Sequence, residues 1–271
     1  MTLVLSALFA GVVAVLVTAA IERWGGVKGG IIGTLPSTIV PAAYGLYEVS
    51  PSAEAFQVAL SATPAGMILN ALFLLAWREL PARLPRDAPR AARFVLTLVV
   101  TLALWALMAL ALAKFLRDRV VGQSPPLLLA CTSTSALYFL GVRAMRGQPG
   151  PTAVARRVPL VVLVVRGLLA AGAVYAALVL ARAGAPVVAG LAAVFPAIFL
   201  TTMMSLWLSH GEELPRAAAG PMMLGSTSVA SYAVFALLLF PHTGPVVGTL
   251  VAWTLSAVCV TWPIARRARR A

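Results

Sequence analysis

The sequence predicts an all-α, polytopic transmembrane bundle of about nine spans, built as a 5+4 inverted-topology repeat with discontinuous helices. Three observations predict it. The chain is 61% hydrophobic and 11% charged over 271 residues, with mean hydropathy +0.95, whereas a soluble domain carries roughly 25% charged residues. Several apolar runs reach the roughly 20 residues needed to cross a hydrocarbon core of about 30 Å. The arginines gather in short segments between those runs, which is how membrane proteins encode topology.

The spans follow in order. Thr2–Ile21 is aliphatic and stops at Glu22–Arg23. Met1 brings no basic n-region and no cleavage site, so this run reads as a first helix and not as a removed signal peptide. Gly30–Leu46 is short and glycine-rich, the signature of a re-entrant or broken element. Ala55–Trp77 and Phe94–Phe115 flank the basic segment "RELPARLPRDAPRAAR". Pro125–Val142 and Pro159–Ala181 flank "VRAMRGQPGPTAVARR". Pro186–Leu208, Ala217–Phe240 and Pro245–Ile264 complete the set.

Alternating nine spans puts those two basic segments, the C-terminal "RRARRA" and the loops "ERWGGVKGG" and "HGEELPR" on one side. Only Lys114, Arg117, Arg119 and Arg182 fall on the other. Basic residues stay cytoplasmic. The expected topology is therefore multi-pass, with the N-terminus outside and the C-terminus cytoplasmic. Net charge +13 would suggest nucleic acid in a soluble chain; confined to inter-span segments it does not, and no nucleic-acid partner is expected. Cys131 and Cys259 lie inside apolar runs without metal-type spacing and read as small core residues.

Shifted by 160 residues, Gly30 falls on Gly190 and Pro36 on Pro196, and "GIIGTLPSTIV" overlies "GLAAVFPAIFL". The preceding spans, "SALFAGVVAVLVTAA" and "RGLLAAGAVYAALVL", are similarly small and aliphatic. Trp105 and Trp253 take comparable places in the fourth and ninth spans. Five spans separate the two copies, so they would cross in opposite directions, as inverted repeats do. The expected units are residues 1–150, with five spans, and 151–271, with four.

The stretch "WGGVKGGIIGTLPSTIVPAAYG" holds six glycines, five of them before Pro36, with Pro36 and Pro41 at apparent membrane depth. An unpaired peptide group in lipid costs several kcal/mol, so such backbone must be buried in protein or line a cavity. The segments Gly29–Pro41 and Gly190–Thr202 are accordingly expected to line a pathway. A second reading exists for Gly25, Gly29 and Gly33, whose spacing of four suits close helix packing.

Hydroxyls mark the same regions. Thr34, Ser37 and Thr38 lie in the second span; Ser61 and Thr63, with Asn70 beyond them, in the third; "CTSTS" at 131–135 in the fifth. Thr201 and Thr202 lie in the seventh, Ser226 and Ser228 in the eighth. Each alone can be inter-helix glue, but the five groups together predict a shared polar interior. Spans 1, 4, 6 and 9 are comparatively bare and read as wall.

Arg166 is the one clear intramembrane charge. It stands seven residues, roughly 10 Å at helical rise, beyond the start of the sixth span. Arginine at such depth costs at least about 2.5 kcal/mol unless it snorkels or finds a partner; snorkelling and a role in anion binding both fit the sequence. Every carboxylate sits at a span end or in a loop. A proton relay or a hard-cation site is therefore not expected, and His210 and His242 read as loop residues, so no metal and no cofactor are predicted. H-E-x-x-H, G-x-S-x-G and P-loop motifs are missing, so the chain does not read as an enzyme.

The stretch "AGLAAVFPAIFLTTMMSLWLSHGEELPRAAAGPMMLGSTSVASYAVF", Ala189 to Phe235, resembles the GlpM family of small bacterial membrane proteins. "KGGIIGTLPSTIVPAAYGLY" resembles a second, more diverged copy. The shared motif is short, a small-residue run into Phe195–Pro196. The resemblance implies a fused duplication and an envelope-related or small-molecule role, and carries over no site residues. The function expected from the sequence is secondary transport of a small neutral or anionic solute, lipid-linked ones included, through a polar midplane cavity. Pathway residues would be Thr34, Pro36, Ser37, Thr38, Asn70, Arg166, Pro196, Thr201, Thr202, Ser226 and Ser228; the expected partners are that solute and membrane lipid. The alternative is a non-transporting scaffold or accessory subunit.

Overall fold

The computed structural model describes residues 2–24, 35–85, 87–146 and 159–268. Among them there are helices and short connections and no strand. Six stretches are long and apolar enough to cross a membrane: Ala53–Arg83, Arg90–Arg119, Pro126–Met145, Leu160–Arg182, Pro186–Ser209 and Glu213–Arg266; Leu3–Ala19 is a shorter apolar helix.

Helix α1 (Thr2–Trp24) crosses α6 (Leu160–Arg182) at a pair of glycines. A Cβ on Gly11 would stand 2.8 Å from the Gly167 carbonyl oxygen, and one on Gly167 would stand 2.9 Å from Val15 Cγ2. Gly11 also faces Ala171, and Thr18 reaches Arg166. As the number rises along α1 it falls along α6, so the two helices are antiparallel.

Helix α2 (Ile39–Val49) has 11 residues, about 17 Å of rise, which is half a hydrocarbon core. The non-helical stretch expected to reach Pro41 ends at Thr38. Pro41 falls in the first turn of α2, where its missing N–H would have had no intrahelical acceptor. Residues 25–34, with the glycine ladder and Thr34, lie outside the described residues.

Helix α3 (Ala53–Arg83) is the central element. It starts where the Ser52 hydroxyl accepts from the Ala55 N–H at 3.1 Å, with Glu54 in the first turn, a neutral and a charged complement to the helix N-terminus. Its face from Phe56 to Trp77 is buried. Helix α4 (Arg90–Arg119) lies at the periphery, with Val99, Leu107 and Leu110 exposed. Helix α5 (Pro126–Met145) opens on proline at its first position and packs against α3 and the helices after residue 213.

The predicted seventh span, Pro186–Leu208, is two helices, α7 (Pro186–Ala192) and α8 (Ala197–His210), parted by Ala193–Pro196. The interruption is shorter than the Gly190–Thr202 read from sequence: Gly190 belongs to α7, and Thr201 and Thr202 to α8. Proline accounts for the position, since it disfavours the α region for Phe195 before it and pre-sets its own φ for a helix start after it.

Helices α9 (Glu213–Gly225) and α10 (Thr227–Ser256) follow, then a π-helical turn at Ala257–Thr261 and α11 (Trp262–Ala268). Gly244 has φ 75°, a left-handed conformation that glycine adopts at little cost, and it turns α10 back on itself. The proof is a hydrogen bond from the Ser256 hydroxyl to the Ser228 carbonyl at 2.7 Å; in a straight helix those residues would be about 42 Å apart. Together α9 and the first arm of α10 run antiparallel to α3, with Phe56 stacked on Phe240 at 5.7 Å and Arg216 of α9 donating to the Arg78 carbonyl at 3.1 Å.

One end of the bundle is laced by arginines. Arg78 donates to the Ala144 carbonyl at 3.1 Å, Arg90 to the Trp207 carbonyl at 3.0 Å, and Arg93 to the Pro81 carbonyl at 2.9 Å. These acceptors sit at or near helix C-termini, where carbonyls lack intrahelical partners and cations are favoured. Arg93 also pairs with Glu212 at 2.6 Å, so Glu212 is fixed in an ion pair and not merely solvated. Cys131 and Cys259 are exposed, not core; a thiol is a small, nearly apolar group and sits as readily on an outward helix face.

Candidate functional site

The broken chain between α7 and α8 rests on α3. Ala59, Ala62, Gly66 and Asn70 recur at intervals of three and four, forming one helical stripe of small residues ending in an amide. Gly190 packs its α-carbon directly on the Ala59 carbonyl, and a Cβ on Gly66 would stand 2.6 Å from Val194 Cγ2. Thr63 adds a long hydrogen bond to the Gly190 carbonyl at 3.5 Å. No side chain larger than hydrogen fits at Gly190 without moving backbone.

At the end of the stripe, Asn70 meets the unwound main chain. Its amide nitrogen donates to the Val194 carbonyl at 2.7 Å and its oxygen accepts from Trp105 Nε1 at 2.8 Å. Asn70 is 2% exposed. The carbonyl that the interrupted helix leaves without an N–H partner is therefore paired from a neighbouring helix, as buried main chain requires.

Arg166 faces inward. It is 4% exposed, with Nε donating to Thr201 Oγ1 at 2.8 Å, one terminal nitrogen to Thr18 Oγ1 at 2.6 Å and the other to Thr202 Oγ1 at 3.1 Å. Two of these hydroxyls spend their own protons along their helices, Thr18 on the Ala14 carbonyl and Thr201 on the Ala197 carbonyl, both at 2.8 Å. Their lone pairs are thereby turned towards the guanidinium. Snorkelling is not what this side chain does.

Between the α3 face and the Arg166 cluster lies a cavity of about 390 Å³. Of the residues singled out from sequence, Ser37, Thr38, Asn70, Arg166, Pro196, Thr202, Ser226 and Ser228 line it. Pro36 is buried beside the lining residue Ser37, and Thr201 stands behind Arg166. Apart from Thr18, the rest of the wall is apolar, including Val17, Ile39, Met67, Val174 and Phe195. Ser226 and Ser228 donate to the Met223 and Gly225 carbonyls at 2.6 and 2.9 Å, at the point where α9 gives way to α10.

The "CTSTS" cluster of α5 does not join the cavity. Thr132 is exposed and donates to its own helix at Leu128, 2.8 Å away. Ser61 likewise bonds the Val58 carbonyl at 2.9 Å. Conversely, sequence reading passed over Thr18, in a span taken as bare wall, and Trp105, the partner of Asn70. Nothing in the local sequence distinguishes Thr18 from an outward hydroxyl; a signal appears only when α1 is laid antiparallel to α6, which sets Thr18 opposite Arg166.

Among the described residues, no three of His, Cys, Asp and Glu come together in a metal-binding group. The arrangement instead offers one cation, several hydroxyl oxygens and an apolar wall around a ligand-sized space. No family model, no curated protein and no solved structure matches the chain; the resemblance to the GlpM family rests on the quoted residues alone.

Proposed function

We propose that the protein is a secondary transporter of the bacterial inner membrane, moving a small neutral or anionic solute by alternating access through this cavity. The observation that carries the reading is a cavity at an interrupted helix, lined by polar groups from α1, the segment leading into α2, α3, α6, α8 and the α9–α10 junction. Discontinuous helices facing a midplane site are a recurring device of transporter folds, and main chain unwound at depth survives only beside protein or a cavity.

Inverted duplication supports the same reading. Adding 160 to the bounds of α1 gives 162–184, against 160–182 for α6. Adding it to those of α3 gives 213–243, which starts at the first residue of α9 and stops just before Gly244. Pro36 and Pro196 each precede the start of a helix, α2 and α8. The paired elements α1 and α6, and α3 and α9–α10, also pack on each other antiparallel, as mates across an in-plane twofold would. Helix α5 is left without a mate, giving five spans before residue 150 and four after. The arginine-laced end holds the segments that charge assigns to the cytoplasm.

The scaffold alternative draws on a different feature, an apolar groove of about 300 Å³ between α1 and α6, floored by Gly11, Gly167 and Ala171. Small residues of this kind admit a neighbouring transmembrane helix. A flux assay separates the two. Pro36→Ala and Pro196→Ala should each cut solute flux in proteoliposomes by tenfold or more, on the order of 1.4 kcal/mol, while insertion and yield stay unchanged. Full flux in both variants would refute the broken-helix mechanism.

A further inference from the structure

Resting on the transport reading, we infer that the cavity takes an uncharged, mainly apolar molecule with a single oxygen-based polar group: a small alcohol, phenol or ketone. Polar and apolar residues share the wall, but they do not present themselves equally. Thr18, Asn70, Arg166 and Ser226 are each 4% exposed or less. Val17, Phe195, Ile198, Phe199, Met222 and Val229 line the same space and are half-buried. The accessible wall is therefore chiefly aliphatic and aromatic, with much of its polar lining set back. Among the described lining residues, the polar side chains that are half-buried are the hydroxyls of Ser37, Thr38 and Thr202.

The set-back groups already have protein partners. Asn70 joins the Val194 carbonyl to the Trp105 indole, and the Thr18 and Ser226 hydroxyls donate to helix carbonyls. The Arg166 guanidinium is engaged by threonines of α1 and α8. An anion would compete with those threonines, and a cation finds no carboxylate among the described lining residues. An ion of either sign is costly to bring into apolar space. A polyol or an amino acid needs many contacts to replace its water, and each one left unmade is costly. An alkyl chain or a ring instead gains by leaving water for this wall. Its one oxygen can be matched at Ser37 and Thr38, neighbours at the start of α2, where the Thr38 side chain makes no cap. The volume of about 390 Å³ falls near the lower end of small-molecule sites, roughly 300–1,000 Å³, which limits the body to a short chain or a single ring.

The test uses the full-length protein in phosphatidylcholine nanodiscs and an octan-1-ol carrying a photoreactive diazirine, with the labelled residues mapped by mass spectrometry. Labelling is expected within 35–39, 193–202 and 218–229, which all contribute to the wall. Unlabelled octan-1-ol should suppress it. Octanoate should be at least about tenfold weaker because it brings a charge, and glycerol should have no effect because it lacks the apolar body. Ala173→Phe, which fills the cavity, should abolish the suppressible labelling. Ser37→Ala combined with Thr38→Val should weaken octan-1-ol several-fold while leaving competition by toluene unchanged, and serves if Ala173→Phe fails to fold. Octanoate as effective as octan-1-ol, labelling confined to outward residues such as Leu107 and Leu110, or undiminished suppression in either variant overturns the inference.

Access to the cavity separates this inference from the transport reading. In a background without Cys131 and Cys259, Ser37→Cys or Thr202→Cys is probed with an impermeant maleimide from each face of the membrane. Suppressible labelling with access from one face alone retains the ligand class and removes alternating access. Access from both faces, with octan-1-ol unable to suppress the labelling, retains transport and removes the ligand class.

Discussion

At the scale of single residues, Asn70 and Arg166 do opposite kinds of work with similar groups. Asn70 uses its amide to finish a backbone, joining the Val194 carbonyl and the Trp105 indole. Asn70→Leu keeps the volume and leaves that carbonyl without this donor, and the expected destabilisation is about 1–3 kcal/mol, read as a lower unfolding midpoint in detergent. Arg166 is positioned by threonines. Replacing Thr201 and Thr202 together with valine should remove two acceptors from the buried guanidinium and cost about 1–3 kcal/mol of stability, read as a lower unfolding midpoint, whereas Thr132→Val, on an exposed face of α5, should change stability by no more than about 0.5 kcal/mol. The threonines also show what sequence can and cannot disclose. Arg166 and Asn70 stand out because their residue types are rare at membrane depth. Thr18, Thr132 and Thr202 are chemically alike, and only the rotation of each helix within the bundle decides which of them meets the cavity.

Helices and their junctions were legible where residue chemistry forces the backbone. Pro196 ends one helix and starts another because of its ring, and Gly244 turns α10 because it alone accepts φ 75° at little cost. The extent of a break was less legible: Pro41 and Thr202 carry types that suggest irregular backbone yet sit in regular helices. A helix start tolerates Pro41, and Thr202 in mid-helix turns its hydroxyl oxygen to Arg166. The glycine of α7 belongs to this scale as well. Gly190→Val would drive a branched side chain into the Ala59 carbonyl of α3. The expected outcome is loss of several kcal/mol or failure to fold, on the scale of overpacking a core and displacing backbone, measured as a collapse in monodisperse yield. Gly172→Val, at a position with open space around it, is the matched control and should purify normally.

At the scale of the whole molecule, charge and hydropathy read correctly as a membrane bundle, because the bilayer imposes one rule on every spanning segment. The pairing of helices was not available from those signals; α3 and α4 have similar composition, yet one is the buried axis and the other a lipid-facing flank. Sidedness is testable directly. A reporter fused after Ala271 should be active only in the cytoplasm, and an impermeant maleimide should fail to reach that terminus in intact spheroplasts. Cys131 and Cys259 are exposed and unpaired, so the double serine variant should unfold within about 1 kcal/mol of the parent. It then provides a background in which Ser37→Cys or Thr202→Cys reports access to the cavity from each side of the membrane.

The four residues from Ala193 to Pro196 join two differently anchored pieces. Upstream, Asn70 moors Val194 to the central axis; downstream, the guanidinium moors Thr201 and Thr202 to the outer pair of crossed helices. Any sliding of one block past the other concentrates at this short tether, which on the proposed transport reading would be the coupling joint between them. Locking it, for instance with a crosslink from position 70 to 194, would freeze exchange between the two faces while leaving ligand capture intact.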